Sequence, residues 1–395
     1  MKICAGICEY NPFHNGHLKH IDYIKHTLNA EKVIVIMSGN FTQRGEIAVL
    51  NKFVRARHAI LSGADMVIEL PSVFAVGNAE TFAKGGVKTI IDTGLIDGIC
   101  FGVESGKKED YLSLAEKLND ESKEFKKTLK AYLDAGESFA RAKFLTVKDL
   151  GAEFDETLIS SPNNILGLEY VRALLSANSD MEIFPMLRTG DHNDKTLKKG
   201  ITSATSIREA LKTGDIKKIK KSVPDYVYFD LYEKVKKGLP FDGFEKTLIT
   251  QALNRPAEEM QNIPDCTEGL ENRIKALIKS NTEYSAFLSK ATTKRYTESR
   301  IKRILTANVL GITEKLVKRT LSSPLYLKVL AIKKEDKELL SMLSKSARVP
   351  VVTRKSDISL LKGTAKDCFE IDTLATDIYN IAATEQENNN QMILV

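Results

Sequence analysis

Five short apolar runs spaced through the first half of the chain constrain its fold more than any other feature. Ile3–Cys8, Val33–Met37, Met66–Leu70, Ile99–Val103 and Ile183–Leu187 each read as a buried strand, and Pro71 stops the third. Amphipathic stretches lie between them, near 18–28, 52–62, 78–92, 109–134 and 164–176. A strand that is apolar along its whole length is covered on both faces, and the intervening helices supply the cover. The pattern therefore predicts an α/β fold built on a doubly wound parallel sheet. Ligands of such sheets sit beyond the C-terminal ends of the strands, so the polar loops after Cys8, Met37 and Phe101 are expected to carry the site.

From about residue 222 the pattern changes. Residues 226–320 read mainly as helices, with Ile301, Ile304, Leu305, Val309 and Ile312 at helical spacing giving one buried face. Leu325–Ile332, a helix over 334–346 and Val351–Thr353 read as one more strand–helix–strand unit. Pro350 stands just before the last strand, where a missing N–H is tolerated. The polar tail Glu385–Gln391 is expected to fray. The expected division is 1–222, a sheet domain, and 223–395, a mainly helical and basic domain with a short C-terminal α/β unit.

Composition narrows the function classes. No apolar run reaches the ~18 residues of a membrane helix, and Glu9 and Asn11 interrupt the N-terminus too early for a secretory signal. The cysteines at 4, 8, 100, 266 and 368 form no CxxC pair, which argues against a disulfide framework or structural zinc and fits a reducing cytoplasm. The net charge of +6 is uneven: residues 271–350 carry +11, residues 195–221 carry +7, and the remainder −12. This asymmetry points to a polyanionic partner; the plain alternative is a pair of solvated basic helices.

The loop after the first strand carries the chemistry. In Cys8-Glu9-Tyr10-Asn11-Pro12-Phe13-His14-Asn15-Gly16-His17-Leu18, two histidines three apart at a helix start can face one site. Gly16 between them lets a phosphate approach the backbone. The helix N-terminus offers unpaired N–H groups to that phosphate, and the imidazoles can donate to a triphosphate as charge develops on leaving pyrophosphate. The alternative is a pair of capping histidines without a ligand. A metal reading is weaker, because the spacing lacks further Cys, His or carboxylate partners. A second piece, Ile201-Thr202-Ser203-Ala204-Thr205-Ser206-Ile207-Arg208, is a hydroxyl-rich turn entering a helix with Arg208 just inside it. It is a second anion site or, alone, an ordinary helix cap.

Together these segments resemble the nucleotidylyl transferase superfamily, which carries (H/T)xGH after strand one and a KMSKS- or ISSTxIR-like segment after strand five. Here the second reads SATSIR without a lysine, closer to the nicotinamide-nucleotide adenylyltransferase form than to the aminoacyl-tRNA synthetase form. The fold this implies is a Rossmann-like HIGH-type sheet followed by a mainly α-helical C-terminal domain. The resemblance sharpens further. Glu9-Tyr10-Asn11-Pro12-Phe13-His14-Asn15-Gly16-His17, Ser38-Gly39-Asn40-Phe41-Thr42-Gln43-Arg44-Gly45 and Gly63-Ala64-Asp65-Met66-Val67-Ile68-Glu69-Leu70-Pro71 are similar to the bacterial tRNA(Met) cytidine acetate ligase family. So are Ser161-Pro162-Asn163-Asn164-Ile165-Leu166-Gly167 and Lys294-Arg295-Tyr296-Thr297-Glu298-Ser299-Arg300-Ile301. The resemblance implies a cytoplasmic ligase. It activates acetate with ATP to acetyl-adenylate, then transfers acetyl to the wobble cytidine of elongator tRNA(Met). Mg²⁺ is implied as the companion of ATP, with no ligands fixed by the sequence; neither DNA nor a membrane is an expected partner.

On this resemblance His14 and His17 are catalytic, and Ile7, Cys8, Glu9, Tyr10, Asn11, Pro12, Phe13, His14, Asn15, Gly16, His17, Leu18, Lys19 and His20 wrap ATP. Gly102 (otherwise a turn glycine), Asn163 (otherwise an N-cap), Arg188, Thr189, Ser203, Thr205 and Arg208 complete the ATP set. Gln43, Arg44 and Lys52 are candidates for the acyl or pyrophosphate end, or else exposed polar residues. Glu69, a carboxylate in an apolar strand, is expected to have a structural partner. Asp191 and His192 follow Arg188 closely, so His192 could touch the site, but it reads first as an exposed loop histidine. Lys217, Lys218, Lys220 and Lys221, with Lys294, Arg295, Arg300, Lys302 and Arg303 on one predicted helix, are expected on the tRNA backbone. A rival reading is an adenylyltransferase for a phosphorylated metabolite, but it leaves the basic residues beyond 222 without a use. Another is a non-catalytic RNA-binding protein, which the presence of both histidines and Arg208 disfavours.

Overall fold

The structure, a computed structural model, describes residues 1–120, 122–137, 139–151, 154–188 and 203–395; Thr189, Asp191, His192, Ile201 and Thr202 lie outside the described residues. The strands are β1 (Ile3–Cys8), β2 (Lys32–Ser38), β3 (Met66–Leu70), β4 (Gly98–Val103), β5 (Glu182–Leu187), β6 (Leu327–Ile332), β7 (Val351–Val352) and β8 (Ile393–Leu394). The helices that bear on the site are α1 (Asn15–Asp22), α2 (Lys52–Leu61), α3 (Ala79–Thr93), α4 (Pro162–Ser176), α5 (Ala204–Lys212), α6 (Asp225–Lys237), α7 (Glu298–Leu310) and α8 (Gly363–Ala383). The chain forms two compact units, Met1–Ile96 with Gly190–Val395, and Asp97–Thr189. No helix among the described residues is long and apolar enough to cross a membrane.

In the first unit β1, β2 and β3 pair in parallel, in register from Ile3↔Lys32 to Cys8↔Met37 and from Ile34↔Met66 to Ser38↔Leu70. This register brings Cys8, Ser38 and Leu70 to one edge of the sheet, so the loops after β1 and β2 emerge side by side. Every residue of β3 is buried, Glu69 included. The second unit pairs β4 and β5 in parallel, from Gly98↔Glu182 to Val103↔Leu187, with α4 packed on β4. All five apolar runs are strands: β1 to β4 are buried along most of their length, whereas β5 is largely half-buried and its Leu187 is 61% exposed.

The C-terminal strand–helix–strand unit joins the first unit's sheet. β6 runs antiparallel to β3, with a register shift between Val67 and Ile68, and β7 and β8 lie parallel to β6. Two details of the helices differ from the periodicity. Residues 109–134 divide into Lys108–Leu118 and Lys123–Asp134, because Ser122 caps the second. α7 ends at left-handed Gly311, so Ile312 is buried from outside the helix while Val309 is only half-buried.

The tail does not fray. Asn380 donates to the Glu387 carbonyl (2.9 Å) and accepts from its N–H (3.0 Å), and Asn51 donates to Glu385 and Glu387, each at 3.0 Å. Asn389 is buried, and its Oδ1 accepts from Lys52 Nζ (2.5 Å), Thr376 Oγ1 (3.1 Å) and Lys328 Nζ. The cause lies in the core. Glu69 has the structural partner expected of it, in fact two: Lys52 at 2.6 Å and Lys328 at 3.1 Å. Two buried ammoniums on one carboxylate need a further acceptor, and Asn389 supplies it. Burial still pushes the Lys328 ammonium down to about 7.

Asn389→Ala would leave Lys52 and Lys328 with Glu69 alone, and we expect a loss of about 2–4 kcal/mol of stability. Urea unfolding measures it; a midpoint equal to that of the parent would show that the tail adds nothing to the fold.

Candidate active site

One buried side chain holds the loops that leave β1 and β2. Arg55 on α2 is completely buried, and its guanidinium donates to backbone carbonyls: Nε to Leu50 (2.9 Å), Nη1 to Glu9 (2.5 Å) and Ser38 (3.1 Å), and Nη2 to Gly39. The planar fork thus fixes both strand ends to one helix. Burial lowers its pKa to about 10, which leaves it charged at neutral pH. The Glu9 carboxylate accepts from Gln43 N–H (2.7 Å), and Asn11 Oδ1 accepts from Val49 N–H (2.9 Å), tying the two loops to each other. Burial raises the Glu9 pKa despite Gln43, Arg44 and Arg208 nearby. Burial also pushes the Cys8 thiol up to about 12, so it stays protonated and is no nucleophile. Lys52, next to Arg55 in this helix, is buried on Glu69 rather than exposed.

His14 is the N-cap of α1, and its imidazole does what a capping side chain does. His14 Nδ1 accepts the Gly16 N–H (3.0 Å), and His17 Nδ1 accepts the His14 N–H (3.3 Å). A neutral imidazole that accepts at Nδ1 carries its proton on Nε2, so both rings present an Nε2–H donor. The rings stack with centroids 3.7 Å apart and planes 23° from parallel. Capping and phosphate recognition, set against each other as alternatives, are compatible: the caps fix the tautomer and orientation that a phosphate would meet. Gly16 has a second reason beyond backbone access, because a Cβ there would lie 2.8 Å from His14 Cε1. Tyr10, in left-handed backbone at φ 50°, is buried edge-on against Phe13 (4.7 Å) and His17 (4.8 Å). A bulky residue there costs about 1–3 kcal/mol, held in place by this packing.

The second segment meets the first directly. Arg208 on α5 donates through Nη1 to the Asn11 carbonyl (2.8 Å) and pairs through Nη2 with Glu46 (3.3 Å). Glu46 also takes Lys302 of α7 at 2.9 Å; burial opposes its charge, yet Arg208 and Lys302 hold its pKa below the ordinary range. Ser203 caps α5, accepting from Ser206 N–H (3.1 Å), and Thr205 Oγ1 lies 3.4 Å from Arg208 Nη2. Asn15 donates to the carbonyls of Ser222 (3.0 Å) and Lys221 (2.9 Å), fastening the start of α1 to the segment that precedes α6. The loop after β2 is seated backbone to backbone on α7. Gly45, at φ 70°, has room for no Cβ, since Arg303 N and Lys302 C would be 2.4 Å away.

The second unit centres on Glu104, which follows β4. Its carboxylate accepts from Ser161 Oγ (2.6 Å) and Asn163 Nδ2. Ser161, not Asn163, is the N-cap of α4. The buried Asn164 takes the Glu104 N–H (2.8 Å) and donates to Ser105 Oγ (2.9 Å) and the Thr157 carbonyl (2.8 Å). Gly102 lies against Arg188, where a Cβ would be 3.2 Å from its Cγ and Cδ. Burial lowers the Arg188 pKa while Glu104 opposes the shift.

A HIGH Nucleotidyl Transferase family model matches residues 1–392. A relative from Acetivibrio thermocellus named tRNA(Met) cytidine acetate ligase is 36% identical, covering 96% of this chain and 94% of its own. One of the same name from Caldanaerobacter subterraneus subsp. tengcongensis is 37% identical, covering 97% and 96%. The crystal structure of Thermotoga maritima TmcAL bound with alpha-thio ATP superposes with a TM-score of 0.88 at 30% identity over 97% of this chain and 95% of that one. The apo form gives 0.92 at 29% over the full length of both. The chain belongs to the tRNA(Met) cytidine acetate ligase family of HIGH nucleotidyl transferases.

In this member of the tRNA(Met) cytidine acetate ligase family the basic residues separate into two sorts. Lys217, Lys218, Lys220, Lys221, Lys294 and Arg295 are exposed, with Lys218 on Asp215 (2.6 Å) and Arg295 on Glu268 (2.9 Å). Lys294 and Arg295 precede α7 rather than lie on it, because Thr297 is its N-cap. Arg300 instead donates to the Asp265 carbonyl (2.9 and 2.8 Å), and Arg303, mostly buried, pairs with Asp265 at 3.3 Å. Sequence reasoning missed Arg55, Glu46 and Glu104. For Arg55 a signal existed: Lys52, Arg55, Ala56 and Ala59 share the buried face of α2, so charges at apolar-face positions marked buried polar contacts.

Gly16→Ala should displace the His14 ring while leaving the fold intact. We expect ATP turnover to fall about tenfold or more with a melting temperature close to that of the parent; full turnover would show that the His14 position is not critical.

Proposed function

We propose that this protein is a cytoplasmic tRNA(Met) cytidine acetate ligase. The observation that carries the chemistry is the His14–His17 pair, whose Nδ1 atoms are tied to backbone and whose Nε2–H groups are the donors a triphosphate needs. The whole-chain likeness to relatives named for the reaction supplies acetate and tRNA.

In the first step an acetate oxygen attacks the α-phosphorus of ATP, the bond to the β-phosphate bridge breaks, and pyrophosphate leaves. His14 and His17 stabilise the charge that grows on the leaving group. In the second step the N4 amine of the wobble cytidine of elongator tRNA(Met) attacks the acyl carbon. AMP leaves and one N4 proton goes to solvent. That amine is a poor nucleophile because its lone pair is delocalised into the ring, and a mixed anhydride compensates with a good leaving group. No protein nucleophile is needed, in keeping with a protonated Cys8.

Arg208, Ser203 and Thr205 shape the loop on the phosphate side, and Gly102, Asn163 and Arg188 are the adenosine contacts in this reading. Residues 1–222 take the catalytic role and 223–395 the tRNA-binding role, with the exposed Lys217, Lys218, Lys294 and Arg295 on phosphates. Arg300 and Arg303 support that surface from within. Mg²⁺ would arrive with ATP. Among the described residues no group of three His, Cys, Asp or Glu side chains could hold a metal ion.

The test is pyrophosphate release with ATP and acetate, with and without elongator tRNA(Met), followed by nucleoside analysis. N4-acetylcytidine in the tRNA is expected, and His14→Ala should slow pyrophosphate release about 10²–10³-fold. Turnover with a phosphorylated metabolite but none with acetate would make the protein an adenylyltransferase instead.

A further inference from the structure

On α6, Val227, Leu231 and Lys234 face inward. The opposite flank carries three aromatic side chains. Phe229 is 63% exposed and Tyr232 40%. Tyr228 and Tyr232, one turn apart, have rings 22° from parallel with centroids 6.4 Å apart. Lys236 Nζ lies 4.2 Å from the centre of the Tyr232 ring, and Lys220 Nζ lies 6.0 Å from that of Tyr228. A single exposed aromatic requires no explanation. Three on one helix flank, two of them parallel and each with an ammonium, have the composition of a surface that stacks unpaired bases.

Charge and position favour the same occupant. Residues 217–237 carry seven lysines against three acidic residues, which suits a polyanion better than a second protein or a neutral ligand. The segment is anchored at the active site, since Asn15 in the first turn of α1 donates to the Lys221 and Ser222 carbonyls. Tyr232 lies only about 10 Å along the axis from the start of α6, at 1.5 Å per residue.

We propose that Tyr228, Phe229 and Tyr232 form a stacking platform for unpaired bases of the RNA substrate that neighbour the target cytidine. The inference rests on the RNA-acetylating reading and deepens it. A base drawn out of a loop leaves its neighbours without their stacking partner. The platform replaces that partner, and Lys220 and Lys236 meet the adjoining phosphates.

The test uses the full-length protein, a labelled anticodon stem-loop of elongator tRNA(Met) titrated over a salt series, and acetate-dependent ATP–pyrophosphate exchange without RNA. The Phe229→Ala/Tyr232→Ala double variant should bind the stem-loop about tenfold or more weakly. Its salt dependence should match that of the parent, because stacking releases no counterions, and its exchange rate should stay within about twofold. The conservative pair Phe229→Tyr/Tyr232→Phe should bind as the parent does. Binding by the alanine variant within about twofold of the parent overturns the platform. So does a parent dimer that the alanine variant converts to monomer in sedimentation, which would make this flank a contact between copies. If the parent acetylates the RNA, either result removes the platform alone. A parent that neither binds nor acetylates the stem-loop removes the RNA reading, and the platform with it.

Discussion

A guanidinium sealed from water has to be neutralised by whatever surrounds it, and around Arg55 the neutralisers are the carbonyls of Glu9, Ser38, Gly39 and Leu50. Burying such a charge costs several kcal/mol, on the order of 5, offset here by charge-assisted bonds of unusually directional geometry. Both strand ends therefore answer to α2. That helix is in turn held by Lys52 on Glu69, and Lys52 by Asn389. The loops that carry Glu9 to His14 and Gly39 to Arg44 are irregular in sequence but not independent in space.

The chemistry that this frame supports is electrostatic. Each candidate for covalent work near the first loop is withheld from it: burial keeps the Cys8 thiol protonated, and the Glu9 carboxylate accepts from Gln43. What is presented instead are two imidazoles with their tautomer set by backbone N–H groups, and an arginine at the turn that precedes them. Such a set needs little reorganisation as charge moves onto a leaving group. It suits a reaction in which the substrates bring their own nucleophile and leaving group.

Much of this was legible in the chain, and the illegible part has a physical pattern. β1 to β4 could be read because burial on both faces leaves continuous apolar runs, β5 because its run stays apolar even where it is half-exposed, and the two histidines of the HxGH loop because their bonds lie within three residues. What depends on distant partners could not be read. The antiparallel pairing of β6 with β3 has no local signature. The tail looked solvated by composition, whereas Lys52 needed the Asn389 oxygen across 337 residues of sequence and Lys328 across 61. Spacing put Arg300 and Arg303 on a surface, and Asp265 draws both inward. Asn163 follows Pro162 as a cap would, yet Ser161 already fills that position and leaves the Asn163 amide for Glu104.

Gly45 has an evolutionary consequence. Its backbone touches that of Lys302 and Arg303 with no side chain between them, and Thr306 fixes the contact by donating to the Gly45 carbonyl at 2.8 Å. Side-chain interfaces tolerate drift because one partner can shrink as the other grows; two backbones in contact have no such freedom. Recombination between diverged genes of this family, with a crossover anywhere between these two segments, would join a loop from one parent to a helix from the other. Such offspring would keep the contact only where both parents place a glycine and the helix backbone at the same spacing, so what the two stretches must share is that distance and not a matched pair of side chains.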